Sequence, residues 1–124
     1  MIAADSNVVI DHLQGKRTAE AVRLADLLGN ARAVLAPATV TELLSDPAGS
    51  HPIEEFLRDI LILPISDGYW ERAGALRAKV RKAGRKAALG DALIAQACID
   101  NDTPLLTRDT DFAAFVKIGG LKLA

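Results

Sequence analysis

The stretch "IAADSNVVID", residues 2–11, decides the reading of the fold: three apolar residues run straight into an aspartate, and a helix starts immediately after it. Similar short apolar runs occupy residues 33–36, 60–65, 104–106 and 118–123, and with residues 2–4 each of these reads as a strand. Between them lie segments of helical period. Val22, Ala25 and Leu28 mark one; Tyr69, Ala73, Leu76, Val80 and Ala83 mark another, stepping four, three, four, three. Strands that are apolar throughout, separated by helices, are what a parallel sheet covered on both faces requires, because each crossover must return along the sheet. The expected class is α/β, doubly wound, with a central parallel β-sheet.

Punctuation agrees with this division. Gly29 and Asn30 close a helix, Pro64 with Ser66, Asp67 and Gly68 separates a strand from a helix, and Gly119 with Gly120 interrupts the last strand. The segment "SDPAGSHP", residues 45–52, has neither period and reads as a loop joining two helices of one crossover.

A chain of 124 residues that is 50% hydrophobic is the size of one domain, 1–124, with one continuous core. No apolar run is long enough for a membrane span and no signal peptide is visible, so a cytoplasmic protein is expected. The lone Cys98, in "ALIAQACI", reads as a small core hydrophobe. A net charge of −1 implies neither attraction to nucleic acid nor repulsion from it, so the distribution of charge matters more.

Four acids stand out. Asp5 follows the first strand, Glu42 lies in "ATVTELL" after the second, Asp91 begins "DALIAQA", and Asp109 follows the fourth strand in "LLTRDTDF". In a doubly wound sheet the strand C-termini share one edge, so loops and helix starts after different strands meet there. Each acid also has an ordinary explanation: Asp5 and Asp109 as N-caps, Asp91 at a helix N-terminus, and residues 39–42 as a capping box. Caps accept Ser, Thr or Asn as readily, yet all four positions carry a carboxylate. Gathered carboxylates raise one another's pKa unless a cation compensates. An all-oxygen set suits Mg²⁺ or Mn²⁺, whereas zinc and copper prefer His and Cys. His12 and His51 lack a partner at ligand spacing, and no Ser–His or Cys–His pair reaches the acidic edge. Metal-assisted hydrolysis remains, with Asn7, Thr107 and Asp111 as supporting polar groups.

Positive charge concentrates in "RAKVRKAGRK", residues 77–86, where Arg77, Lys79, Arg81, Lys82, Arg85 and Lys86 occur with no acid among them. Gly84 ends a helix there and Asp91 starts the next, so the segment leads towards the acidic edge, where it could bind phosphates. The plainer reading is a solvated helix face. Aromatic residues for base stacking are nearly absent nearby.

Together "AADSNVVID", "TVTELL", "GDALIAQA", "LLTRDTDF" and the terminal "GLKL" resemble, in order and separation over essentially the whole chain, the PIN-domain ribonucleases, particularly VapC-type toxins of type II toxin–antitoxin pairs. The resemblance implies a three-layer α/β/α domain and an endoribonuclease using Mg²⁺ or Mn²⁺. Asp5, Glu42, Asp91 and Asp109 match the family's four acids, and Asn7 and Thr107 its supporting polar positions. It further implies a homodimer and a cognate VapB-type antitoxin covering the active-site groove. Ser6 stands where many relatives have Thr, and Asp111 is an acid not uniformly present among them.

Other readings fit less well. The Asp-x-Asp signature of haloacid-dehalogenase-like phosphatases fails because residue 7 is Asn. A receiver-like signalling domain needs paired acids after the first strand, and Asp67 and Lys122 are poorly placed as its phosphoacceptor and lysine. An inactive PIN-like binding module is disfavoured by the presence of all four acids.

Overall fold

The computed structural model describes residues 1–47 and 51–124. The elements run β1 (Ile2–Ala4), α1 (Ser6–Leu13), α2 (Ala19–Gly29), β2 (Ala33–Leu35), α3 (Pro37–Leu44), α4 (His51–Asp59), β3 (Leu61–Ile62), α5 (Tyr69–Lys82), α6 (Leu89–Asp100), β4 (Leu105–Leu106) and α7 (Ala113–Gly119), with a 3₁₀ turn at Thr110–Phe112 before α7. The sheet order is β3-β2-β1-β4, and every pairing is parallel.

Side chains alternate across the sheet, and the core divides accordingly. Ala3, Val34 and Leu105 point into one apolar cluster with Leu76 and Val80 of α5, Ile94 of α6 and Phe115 of α7. Ala4, Leu35 and Leu106 point into the other with Val8 and Val9 of α1, Leu24 and Leu27 of α2 and Ile53 of α4. Helices therefore cover both faces, giving the expected three-layer α/β/α arrangement with a central parallel sheet.

Several local expectations are corrected. The last apolar run is no strand: residues 118 and 119 finish α7, and Gly120 closes that helix in the left-handed region at φ 80°. What remains is one parallel bridge between Leu105 and Leu123. In α2 the buried face is Ala21, Leu24 and Leu27, one residue earlier than the period suggested, and Val22 is exposed. Both triads are apolar, and packing against α1, where Val8 and Val9 share a cluster with Leu24 and Leu27, selects between them. In α5, Tyr69, Ala73, Leu76 and Val80 are buried as expected, but Ala83 lies past the helix end and is exposed. β3 is shorter than 60–65 and, at one edge of the sheet, its two residues are exposed. Of the expected loop at 45–52, residues 48–50 lie outside the described residues, while His51 and Pro52 belong to α4.

Candidate metal centre

Parallel strands deliver their C-termini to one edge, and the acids gather there through two short links. The backbone N–H of Asp5 donates to the carbonyl of Leu106 at 2.9 Å, tying the end of β1 to the end of β4. Asp5 then serves as the N-cap of α1: its Oδ1 accepts from Ser6 N at 2.8 Å. Its Oδ2 accepts from Thr107 Oγ1 at 2.6 Å. Thr107 Oγ1 in turn accepts from Asp109 N at 3.0 Å, and Asp109 Oδ1 accepts from Asp111 N at 2.9 Å. A continuous run of hydrogen bonds thus joins Asp5, Thr107, Asp109 and Asp111.

Asp91, in the first turn of α6, completes the tightest group. One carboxylate oxygen from each of Asp91, Asp109 and Asp111 lies within 4.8 Å of the others. Asp111, peripheral in the sequence reading, belongs to this group, whereas Asp5 and Glu42 flank it. Glu42 is carried by α3, and the nearby Ser6 side chain works to lower its pKa. Its Oε2 lies 3.4 Å from where a Cβ on Gly90 would stand. The first turn of α6, which carries Asp91, begins without a side-chain cap.

The carboxyls feel one another. Asp91 is pushed up to about 6, first by burial and then by the charges of Asp109, Asp5, Glu42 and Asp111. Asp5 is also raised, by burial above all, with Asp109 adding to the rise and the bonds from Thr107 and Ser6 working against it. Partial burial of its carboxyl, followed by the charge of Asp5, raises Glu42, although the residue as a whole is exposed. Carboxylates held together at this cost in charge repulsion suit a compensating cation. The donor set is all oxygen, with no His or Cys in the group, which fits a hard divalent ion such as Mg²⁺ or Mn²⁺.

The ordinary roles weighed for these acids turn out to coexist with their clustering. Asp5 and Asp109 do cap their helical turns, and Asp91 does occupy a first turn. The capping box over residues 39–42 does not form, because α3 already starts at Pro37 with Ala36 as N-cap. Of the supporting residues, Thr107 lies at the centre of the hydrogen-bond run. Asn7 Oδ1 is buried without a hydrogen-bond partner.

The basic segment divides. Lys86 Nζ pairs with Asp111 Oδ2 at 3.2 Å and so reaches the site. Arg77 is occupied within the fold, its Nε donating to the carbonyl of Ala87 at 2.8 Å. Lys79, Arg81, Lys82 and Arg85 are exposed, and among the described residues none forms an ion pair with an acid of the site. Two contributors escaped the sequence reading. Ser6, a small departure from the Thr of many relatives, favours the charged form of Glu42 through its side chain. Gly90, quoted only as part of a motif, leaves Glu42 room beside α6. Their signal in the sequence was adjacency to Asp5 and Asp91.

Among the described residues no helix is long and apolar enough to cross a membrane. No curated protein matches the chain significantly in sequence. Solved structures do match in shape. A chain of VapBC2 from Rickettsia felis bound to a DNA fragment from their promoter is similar at TM-score 0.77 and 21% identity, covering 100% of this chain and 98% of that chain. One of VapBC-1 from nontypeable Haemophilus influenzae is similar at 0.73 and 24%, covering 100% and 97%. One of FitAcB from Neisseria gonorrhoeae is similar at 0.72 and 20%, covering 99% and 96%. At these identities the likeness speaks to the fold. A family model described as "PIN domain" matches residues 2–118, which sets aside the receiver-like and phosphatase readings. With nearly its whole length matched by that model, and with the acids of its sheet edge drawn together, the chain belongs to the PIN domain family.

Proposed function

We propose that this chain, as a single PIN domain over residues 1–124, is a metal-dependent endoribonuclease and the toxin of a VapBC-type toxin–antitoxin pair. The observation that carries the reading is the approach of Asp91, Asp109 and Asp111 oxygens to within 4.8 Å, beside Asp5 and Glu42. The structural neighbours named as VapBC and FitAB complexes favour an antitoxin as partner, and a homodimer follows from the family resemblance.

In this reading Asp91, Asp109 and Asp111, with Asp5 and Glu42 alongside, hold Mg²⁺ or Mn²⁺. The ion supplies Lewis acidity, lowering the pKa of water and neutralising charge on the phosphate. The protein's own groups do the rest. Thr107 and the Ser6 N–H fix the Asp5 carboxylate in one orientation, and the Ser6 side chain favours the charged form of Glu42. Asp91, raised to about 6 without a cation, gives up its proton to ligate the ion. Lys86, released from Asp111 when a cation takes its place, is positioned to hold an RNA phosphate.

The test is cleavage of total cellular RNA by purified protein. Cleavage with Mg²⁺ or Mn²⁺, abolished by chelator and by Asp5→Asn or Asp91→Asn, is expected. Cleavage that survives chelator, or survives either substitution, would overturn the site assignment, and an absence of cleavage in wild-type protein would favour an inactive binding module.

A further inference from the structure

One buried carboxylate has no part in the proposed chemistry. Asp11 lies in α1 and is only 3% exposed, far more buried than an aspartate ordinarily is. Its Oδ2 sits 2.7 Å from Arg108 Nε, and its Oδ1 is 3.7 Å from Lys16 Nζ. The Arg108 contact is an ion pair and not a straight hydrogen bond, for Asp11 Oδ2 makes no regular hydrogen bond at all. A buried charge held this way gives up its hydration, and the ion pair recovers only part of that loss, so it is weak evidence of a device for stability.

Its location is more informative. Arg108 falls between Thr107, which holds Asp5, and Asp109, which belongs to the tight acidic group. Three successive residues after β4 therefore have three separate duties: Thr107 grips the N-cap of α1, Arg108 grips Asp11 in the body of the same helix, and Asp109 faces the site. Two attachments to α1 fix both the position and the rotation of this short segment, where a single bond through Thr107 leaves it free to pivot.

We infer that Asp11 and Arg108 are positioning residues, whose ion pair sets the Thr107–Asp109 segment in the geometry that binds the cation. The inference rests on the metal-centre reading above. It predicts an effect opposite to that of charge alone. Removing the positive Arg108 from beside several carboxylates should tighten cation binding by Coulomb's law, whereas loss of positioning should weaken it.

The experiment is calorimetric titration of Mn²⁺ into the folded full chain, together with amide hydrogen exchange in metal-free protein. In Arg108→Gln, Mn²⁺ binding is expected to weaken about tenfold, the low end of what groups behind metal ligands contribute. Arg108→Lys, which keeps the charge, should recover most of the loss, and Asp11→Asn should resemble Arg108→Gln. The Asp109 and Asp111 amides should exchange faster in Arg108→Gln while those of α6 keep their protection. Unchanged or tighter Mn²⁺ binding in Arg108→Gln overturns the inference, as does uniform loss of protection across the fold. Should wild-type protein bind no Mn²⁺, the metal reading fails instead, and the exchange rates of those two amides alone decide whether the pair positions the segment.

Discussion

Thr107 Oγ1 donates to Asp5 Oδ2 at 2.6 Å, so a hydroxyl just past β4 holds a carboxylate just past β1, 102 residues away in sequence. The same oxygen accepts the Asp109 N–H, placing Thr107 between two acids of the site. Replacing it with valine keeps the shape and removes both bonds. Thr107→Val is expected to cost about 1–3 kcal/mol of stability, the usual penalty for stranding a buried polar group. Urea unfolding at neutral pH measures it, and an unchanged midpoint would show that Asp5 is held by other means.

Asp91 governs how metal-free stability responds to pH. Its folded pKa is raised from 3.8 to about 6, so the folded state binds the proton more tightly than the unfolded chain. Its stabilising contribution is complete below about pH 4 and is lost as pH rises through 6. Asp91→Asn should therefore raise the melting temperature in chelator at pH 7.5 relative to wild type, by several degrees, and by only about a third as much at pH 4.5. Asp100, held low by the Arg72 guanidinium, works in the opposite sense in both proteins and cancels in the comparison. A fall in melting temperature at pH 7.5 would point to a dominant capping role.

Cation binding should carry the same signature from the other side. A bound divalent ion requires Asp91 unprotonated, so Mn²⁺ affinity is expected to be near its plateau at pH 7.5 and to drop about tenfold per pH unit below 6. Calorimetry in buffers of different ionisation enthalpy would count the released protons. Affinity independent of pH between 5 and 7.5 would place the ion away from Asp91.

Gly90 separates room from flexibility. A Cβ there would meet Glu42 Oε2 at 3.4 Å, an ordinary contact, and the residue is helical. Gly90→Ala should be tolerated and gain roughly 0.5 kcal/mol of stability through helix propensity, with RNA cleavage retained. Gly90→Leu sets a branched side chain against the Glu42 carboxylate, and its cleavage should fall at least tenfold while the fold persists. Equal activity in the two variants would argue that the place of Glu42 is unimportant.

Much of this architecture can be read from the chain because it depends on local pattern. Apolar runs that end in an acid, with helical period between them, require parallel crossovers, and parallel crossovers bring Asp5, Glu42, Asp91 and Asp109 to one edge. Composition alone carries less. In α2 the residues 21, 22, 24, 25, 27 and 28 are all apolar, so the period cannot say which triad is buried, and packing of the helix against α1 decides. The run at 118–123 is apolar enough for a strand, but Phe115 and Leu121 find their burial on either side of a helix end at Gly120.

By itself, then, the sequence determined the α/β class, the order of the strands' acids along the chain and the oxygen character of the candidate site, since these follow from residue type and short-range spacing. Tertiary structure alone decided which acids lie closest, drawing Asp111 in with Asp91 and Asp109 and setting Asp5 and Glu42 at the flank. It also decided that Lys86 and not the rest of the basic segment reaches the acids, and that Asp11 meets Arg108. The reason is physical: side-chain distances across a sheet edge depend on helix rotation and loop attachment, and a shift of one residue in either exchanges one set of neighbours for another.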